Sequence, residues 1–164
     1  MFTILGFYKF KKIKSLKKNK FLFQKLFIKN NIRGSLIISK EGINGSISGK
    51  HANVSLISKK IKSLLDISNF DSENFSKNKY QPFHKPKVKI KNEVVPIGLN
   101  ISPKTKNKSY IDPTKWNNLI RNKNTFILDV RKPFEYDVGT FKKAVNPKVN
   151  NFREFPKYLN KLNK

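Results

Sequence analysis

Asp129, Arg131 and Glu135 are the residues best placed to do chemistry. The chain has ten acids against 36 basic residues, so an acid that persists in it is expected to have a specific job. Three of the ten (Asp129, Glu135 and Asp137) fall within nine residues, directly after the apolar run Phe126-Ile-Leu. A carboxylate at the C-terminal edge of a parallel strand is where open α/β sheets place ligand-contacting groups. The plainer reading of Asp129-Val-Arg131 with Glu135 is a strand end carrying a surface ion pair. No thiol nucleophile accompanies them, because the chain has no cysteine, which also removes disulfides and thiolate metal sites. His51 and His84 are the only histidines and fall in different predicted elements. No haem, flavin or non-haem iron ligand set is recognisable, so no metal and no cofactor is expected.

Two further stretches could bind rather than react. Glu41 is the only acid in the first 65 residues and opens the run Glu41-Gly-Ile-Asn-Gly45. Gly42, Asn44 and Gly45 are turn formers, and the spacing suits a tight connection between strands. The sharper alternative is a loop that offers backbone N–H groups and the Glu41 carboxylate to a ligand. The run from Tyr80 to Lys89 interleaves rings with cations: Tyr80, Phe83, His84, Lys85, Lys87, Lys89. Rings stack on bases and ammonium groups meet phosphates, so this composition suits nucleic acid. A solvated edge strand whose lysines discourage aggregation would read the same way.

The net charge of +26 rests on 32 lysines and only four arginines, with twenty Asn and seventeen Ile beside them. Lys, Asn and Ile have A/T-rich codons, so base composition accounts for part of this charge. Whatever its origin, the field attracts polyanions, and RNA is the natural candidate. Residues 1–111 carry 24 basic and 5 acidic residues, net +19, whereas residues 112–164 carry 12 and 5, net +7. The field therefore belongs mainly to the N-terminal part. No apolar run approaches a membrane span, and no signal pattern precedes Thr3-Ile4-Leu5, so a cytoplasmic location and no membrane partner are expected.

The elements that must position these residues follow from periodicity. Residues 3–10 read as a strand. Ser15 is expected to cap a helix running to about Asn30, with Leu22, Phe23, Leu26 and Phe27 on one apolar face. Ser35–Ile38 and Ser46–Gly49 read as strands, with Gly42 and Gly45 bracketing the connection between them. Val54, Ile57, Ile61 and Leu64-Leu65 mark a second helix. Phe70 to Pro86 reads as loop, and Val88 and Ile90 alternate with Lys87, Lys89 and Lys91 in a strand with one basic face. Strand–helix–strand–strand–helix–strand is the order of a ferredoxin-like α+β domain, assigned to residues 1–92. Residues 93–111 read as a linker. Asp112-Pro113 then starts a helix that turns Trp116, Leu119 and Ile120 inward, and Phe126–Val130 is the apolar run expected of a parallel strand covered on both faces.

Phe7-Tyr-Lys-Phe10, Glu41-Gly-Ile-Asn-Gly45, Gln81-Pro-Phe-His84, Lys87-Val-Lys89, Tyr110-Ile-Asp-Pro113 and Trp116-Asn117 occur in that order. Asp129-Val-Arg131, Glu135-Tyr136, Gly139-Thr-Phe141, Ala144 and Phe152-Arg-Glu-Phe155 follow them. The ordered set resembles the N-terminal portion of the bacterial rhodanese-domain tRNA uridine(34) hydroxylases. The resemblance implies an acylphosphatase-like domain over residues 1–92 and the first, incomplete part of an α/β rhodanese domain over residues 112–164. It also implies oxygen-dependent conversion of uridine 34 to 5-hydroxyuridine by the complete protein, with tRNA as partner and molecular oxygen as co-substrate.

The rhodanese nucleophile is a cysteine on a later loop, so no catalytic residue of that kind is expected within these residues. Asp129, Arg131 and Glu135 remain as supporting candidates, and the 164-residue chain alone is expected to hydroxylate no uridine. Lys85, Lys87, Lys89, His84, Glu41, Gly42, Asn44 and Gly45 are the candidates for RNA contact. The alternatives are a non-catalytic basic RNA-binding module, or a rhodanese-like sulfurtransferase or sulfur-relay fragment.

Overall fold

The computed structural model describes residues 1–98 and 111–162. They divide into two compact units between Val95 and Pro96. Residues 99–110 of the expected linker, Tyr110 among them, lie outside the described residues.

The first unit contains β1 (Phe2–Phe10), α1 (Leu16–Lys29), β2 (Arg33–Ser39), β3 (Gly42–Gly49), α2 (His51–Leu64), β4 (Ser72–Asn78) and β5 (Pro86–Ile90). The sheet order is β4-β1-β3-β2-β5. β4, β1, β3 and β2 are all antiparallel to their neighbours, which is the ferredoxin-like arrangement, and β5 adds a fifth strand parallel to β2. Alternation along β1 sends Thr3, Leu5 and Phe7 to one face, where they meet Ile47, Leu36, Ile38 and Val88. The helices cover that face: Phe23 and Phe27 of α1, and Val54, Ile57 and Ile61 of α2, are fully buried against it. A spacing of three or four residues puts each set on one stripe of its helix, with Thr3 of β1 and Ser58 of α2 as buried polar side chains beside it.

Four expectations change. The first concerns the fourth strand of the ferredoxin-like set, which is Ser72–Asn78 inside the stretch read as loop. It is an edge strand exposed along most of its length, so its residues carry no apolar alternation. The Val88 strand is instead the added fifth strand. The second concerns Gly42–Gly45, which is not a connection but the start of β3, paired on both sides with β1 and β2. The turn is at Lys40-Glu41. A side chain at Gly45 would come within 2.9 Å of the Phe7 ring, and one at Gly42 would collide with the Lys9 carbonyl. These glycines permit close approach of strands and core, as glycine in a strand often does.

Third, Ser15 occupies the N-cap of α1 in a left-handed conformation (φ 53°) and its side chain makes no capping bond. Fourth, Phe126–Val130 forms no strand among the described residues. Its pairing is a single parallel bridge, Leu128 to Val145, because no further partner strand lies alongside it there. The second unit is otherwise α3 (Pro113–Arg121), α4 (Pro133–Val138), a 3-10 turn (Phe152–Glu154) and α5 (Phe155–Leu162). Asp112 caps α3 as expected, accepting from the Lys115 backbone N–H at 2.9 Å. Trp116 and Ile120 are only half-buried and Leu119 is exposed, so α3 has no fully inward face.

Candidate functional site

The basic run sits on the β5 edge of the first unit. Gln24 of α1 clamps this strand: its Oε1 accepts from the Val88 backbone N–H at 3.1 Å, and its Nε2 donates to the Pro86 carbonyl at 3.3 Å. Val88 turns to the core while Lys87 and Lys89 are exposed on the other side. Register places Lys87 beside Ser35, and Lys89 beside Ile37 and, one strand further, Asn44. The loop that leads into β5 is also anchored. Gln81 Nε2 donates to the Asn31 and Ser48 carbonyls, each at 3.0 Å, and Ser48 Oγ donates to the Pro82 carbonyl at 2.8 Å. This holds Tyr80, Phe83, His84 and Lys85 as an exposed group of two rings, an imidazole and a cation on a fixed loop.

Of the eight candidates for RNA contact, Lys85, Lys87, Lys89 and His84 are therefore accessible along one stretch of chain, and Asn44 shares the sheet face of Lys87 and Lys89. The other three are engaged elsewhere. Glu41 accepts from the Val94 backbone N–H at 2.6 Å, Gly42 is buried in β3, and Gly45 faces the core beside Phe7 and Leu36. Gly42–Gly45 is therefore not a loop but paired strand, with Glu41 in the turn before it.

In the second unit Asp129 is the hub of a compact polar cluster. It accepts from Arg131 Nε at 3.0 Å and Nη2 at 2.6 Å, from the Arg131 backbone N–H at 3.1 Å, and from Thr140 Oγ1 at 2.8 Å. Arg131 Nη2 also donates to the Gly139 carbonyl at 2.6 Å. Asn146 Nδ2 reaches the carbonyls of Asp129 and Arg131, both at 2.8 Å. The Asp129 side chain is 9% exposed and that of Arg131 47%. The Arg131 hydrogen bonds hold the Asp129 carboxyl well below the usual carboxylate range, with Thr140 adding to the effect against the opposing cost of desolvation. The same partner pushes the Arg131 guanidinium up.

A carboxylate so saturated with donors stays ionised and accepts no proton at neutral pH; it ties the segment of Asp129 and Arg131 to Thr140, and Asn146 joins through the backbone carbonyls. Glu135 performs a separate local task, accepting from the Lys132 backbone N–H at 3.2 Å at the start of α4. The cluster lines a cavity of about 730 Å³ whose remaining wall is apolar, including Trp116, Ile127 and Phe141. The buried Trp116 Nε1 finds no hydrogen-bond partner among the described residues. Sequence reading singled out Asp129 and Arg131 but missed Asn146, which carries no local signal, and the role of Thr140, which was legible only as part of Gly139-Thr-Phe141.

Among the described residues, no three of His, Asp and Glu come close enough to hold a metal ion. No helix among them is long and apolar enough to cross a membrane.

Residues 2–94 match the family model described as the UPF0176 acylphosphatase like domain. The chain belongs to that family. The tRNA uridine(34) hydroxylase of Pelagibacter ubique (strain HTCC1062) is 63% identical over all 164 residues, which make up 54% of that protein. The tRNA uridine(34) hydroxylase of Prochlorococcus marinus (strain MIT 9215) is 42% identical over 132 residues, 79% of this chain and 42% of that protein. The chain spans about half the length of the curated relatives it matches. Among solved structures, an acylphosphatase from Coxiella burnetii is similar at 9% identity over 54% of this chain and 93% of its own, with a TM-score of 0.41. The fold assignment itself rests on the family match and the sheet order. The resemblance read from the ordered motifs, to the N-terminal portion of these proteins, is borne out.

Proposed function

We propose that these residues are the tRNA-recognising part of a tRNA uridine(34) hydroxylase, whose complete form converts uridine 34 to 5-hydroxyuridine with molecular oxygen as co-substrate. The observation that carries this reading is the 63% identity to the Pelagibacter hydroxylase across every residue of the chain. The geometry supports the division of labour. An exposed, clamped row of Lys85, Lys87 and Lys89 beside Tyr80, Phe83 and His84 is suited to phosphates and bases. The Asp129 cluster, with its carboxylate fully engaged, is suited to building a wall rather than to moving protons. The thiolate that rhodanese-like chemistry calls for is not among these residues, so the chain alone binds tRNA and leaves uridine unmodified.

Two measurements test this. A chimera in which these 164 residues replace the matching half of the Pelagibacter protein should restore 5-hydroxyuridine at position 34 in a host that lacks it. A folded chimera that leaves the tRNA unmodified contradicts the assignment. Finding 5-hydroxyuridine in tRNA incubated with this chain alone contradicts the division of labour.

A further inference from the structure

Resting on the tRNA-recognition reading, we infer that the helix-free face of the five-stranded sheet, centred on Gly6, is a seat for an unpaired stretch of RNA. Both helices pack on the opposite face, where Leu5, Phe7, Leu36 and Val88 are buried. The register then fixes what the open face carries. One row across the strands is Asn74, Gly6, Ser46, Ser35 and Lys87. The next is Ser72, Tyr8, Asn44, Ile37 and Lys89. No strand residue that the register places on this face is acidic, whereas Glu73 lies on the other side, with its carboxylate on Ser58 and Lys62 of α2.

Gly6 is the telling position. Glycine in the interior of a central strand weakens it and leaves nothing to pack. Elsewhere in this sheet the cost has a local cause, since a side chain at Gly45 would collide with Phe7. At Gly6 there is none: its φ is not positive, and an added Cβ would meet nothing within 4 Å. The residue thus keeps open a flat, uncharged floor on which another molecule can lie.

What surrounds that floor selects the occupant. Tyr8 and Phe10 form an edge-to-face pair at 5.9 Å on β1. Ser48, on the same face, holds the Pro82 carbonyl and so draws the loop bearing Tyr80, Phe83 and His84 against this end of the sheet. Lys87 and Lys89 line the β5 edge. A small polar floor with rings at its ends and cations along one side matches a chain of bases with a phosphate backbone. Unpaired RNA is favoured over duplex, because only unstacked bases can lie against rings and a sheet.

The test measures binding of the whole 164-residue chain to tRNA, to short oligouridine, to duplex RNA of equal length and to polyglutamate, by fluorescence anisotropy. The wild-type chain should bind oligouridine more tightly than the duplex or polyglutamate. Gly6→Val should unfold at the same or higher temperature, since valine suits a strand. It should nevertheless bind oligouridine at least about tenfold more weakly, on the scale of removing one base stack. Lys60→Ala, exposed on α2, should change little. Should Gly6→Val fail to fold, Ser46→Leu places bulk on the same floor and is read in the same way.

Unchanged tRNA and oligouridine binding by a folded floor variant overturns the seat while leaving tRNA recognition intact. Tighter binding of polyglutamate or duplex than of oligouridine also overturns the seat. A wild-type chain that binds neither tRNA nor oligouridine overturns the recognition reading and the seat together.

Discussion

The first unit buries seventeen apolar side chains, whereas among the described residues of the second only Ile127 and Ala144 are buried. The second unit is held instead by polar ties from Asp129, Arg131, Thr140 and Asn146, while Phe126, Phe134 and Phe141 stand exposed. The contrast teaches where each unit gets its order. Apolar burial is non-directional and cooperative, so the first unit can leave a whole sheet face free of helices without losing its core. A few directional bonds fix a local geometry but leave large apolar side chains uncovered, and such surfaces call for a partner.

Core truncation should break the comparison most visibly. Phe27→Ala removes a fully buried ring and should cost about 3–5 kcal/mol in urea unfolding. Phe126→Ala, at a site 61% exposed, should stay within about 0.5 kcal/mol. Equal losses would mean that the second unit has a core of its own.

A pair of glycine variants sharpens the same point within one sheet. Gly45→Val forces a side chain into Phe7 and Leu36 and should lower stability by about 1–3 kcal/mol. Gly6→Val should be neutral or stabilising. If both destabilise alike, the two faces are not distinct in the way described.

The polar cluster gives a smaller, local effect with a definite pH dependence. Asp129 is held ionised below its ordinary range by Arg131. Its contribution is therefore present above the unfolded carboxylate value of about 3.9, and is lost as pH falls through the lower folded value. Arg131→Ala should remove most of that contribution, so that stability depends less on pH below about 3.9, and should speed amide exchange at Thr140 and Asn146, leaving first-unit amides unchanged. Exchange that accelerates equally in both units would contradict a local tie.

Much of the first unit was legible because its core-facing residues repeat at intervals of two or of three to four. Phe23 with Phe27 and Val54 with Ile57 and Ile61 declared their helices, and Leu36 with Ile38 declared a strand. Ser72–Asn78 was missed because an edge strand exposed along its length leaves no periodic trace. Gly42–Gly45 was misread because a glycine needed for close approach looks the same in sequence as one needed for a turn. Phe126–Val130 was overread: an apolar run signals burial, but strand pairing depends on partners that local pattern does not supply. Of the candidate site, the exposure of Lys85, Lys87 and Lys89 was legible from alternation. The floor at Gly6 was not, since emptiness emerges only once the strands are in register.

The salt dependence of tRNA binding is the most direct test of the recognition account. Replacing Lys85, Lys87 and Lys89 together by Ala should weaken tRNA binding at low salt. It should also flatten the slope of log affinity against log salt by up to about three units, roughly 0.7–0.9 for each phosphate no longer neutralised. A triple variant with unchanged affinity and unchanged slope would mean that these lysines are surface charge without a role in recognition, and the account would fall.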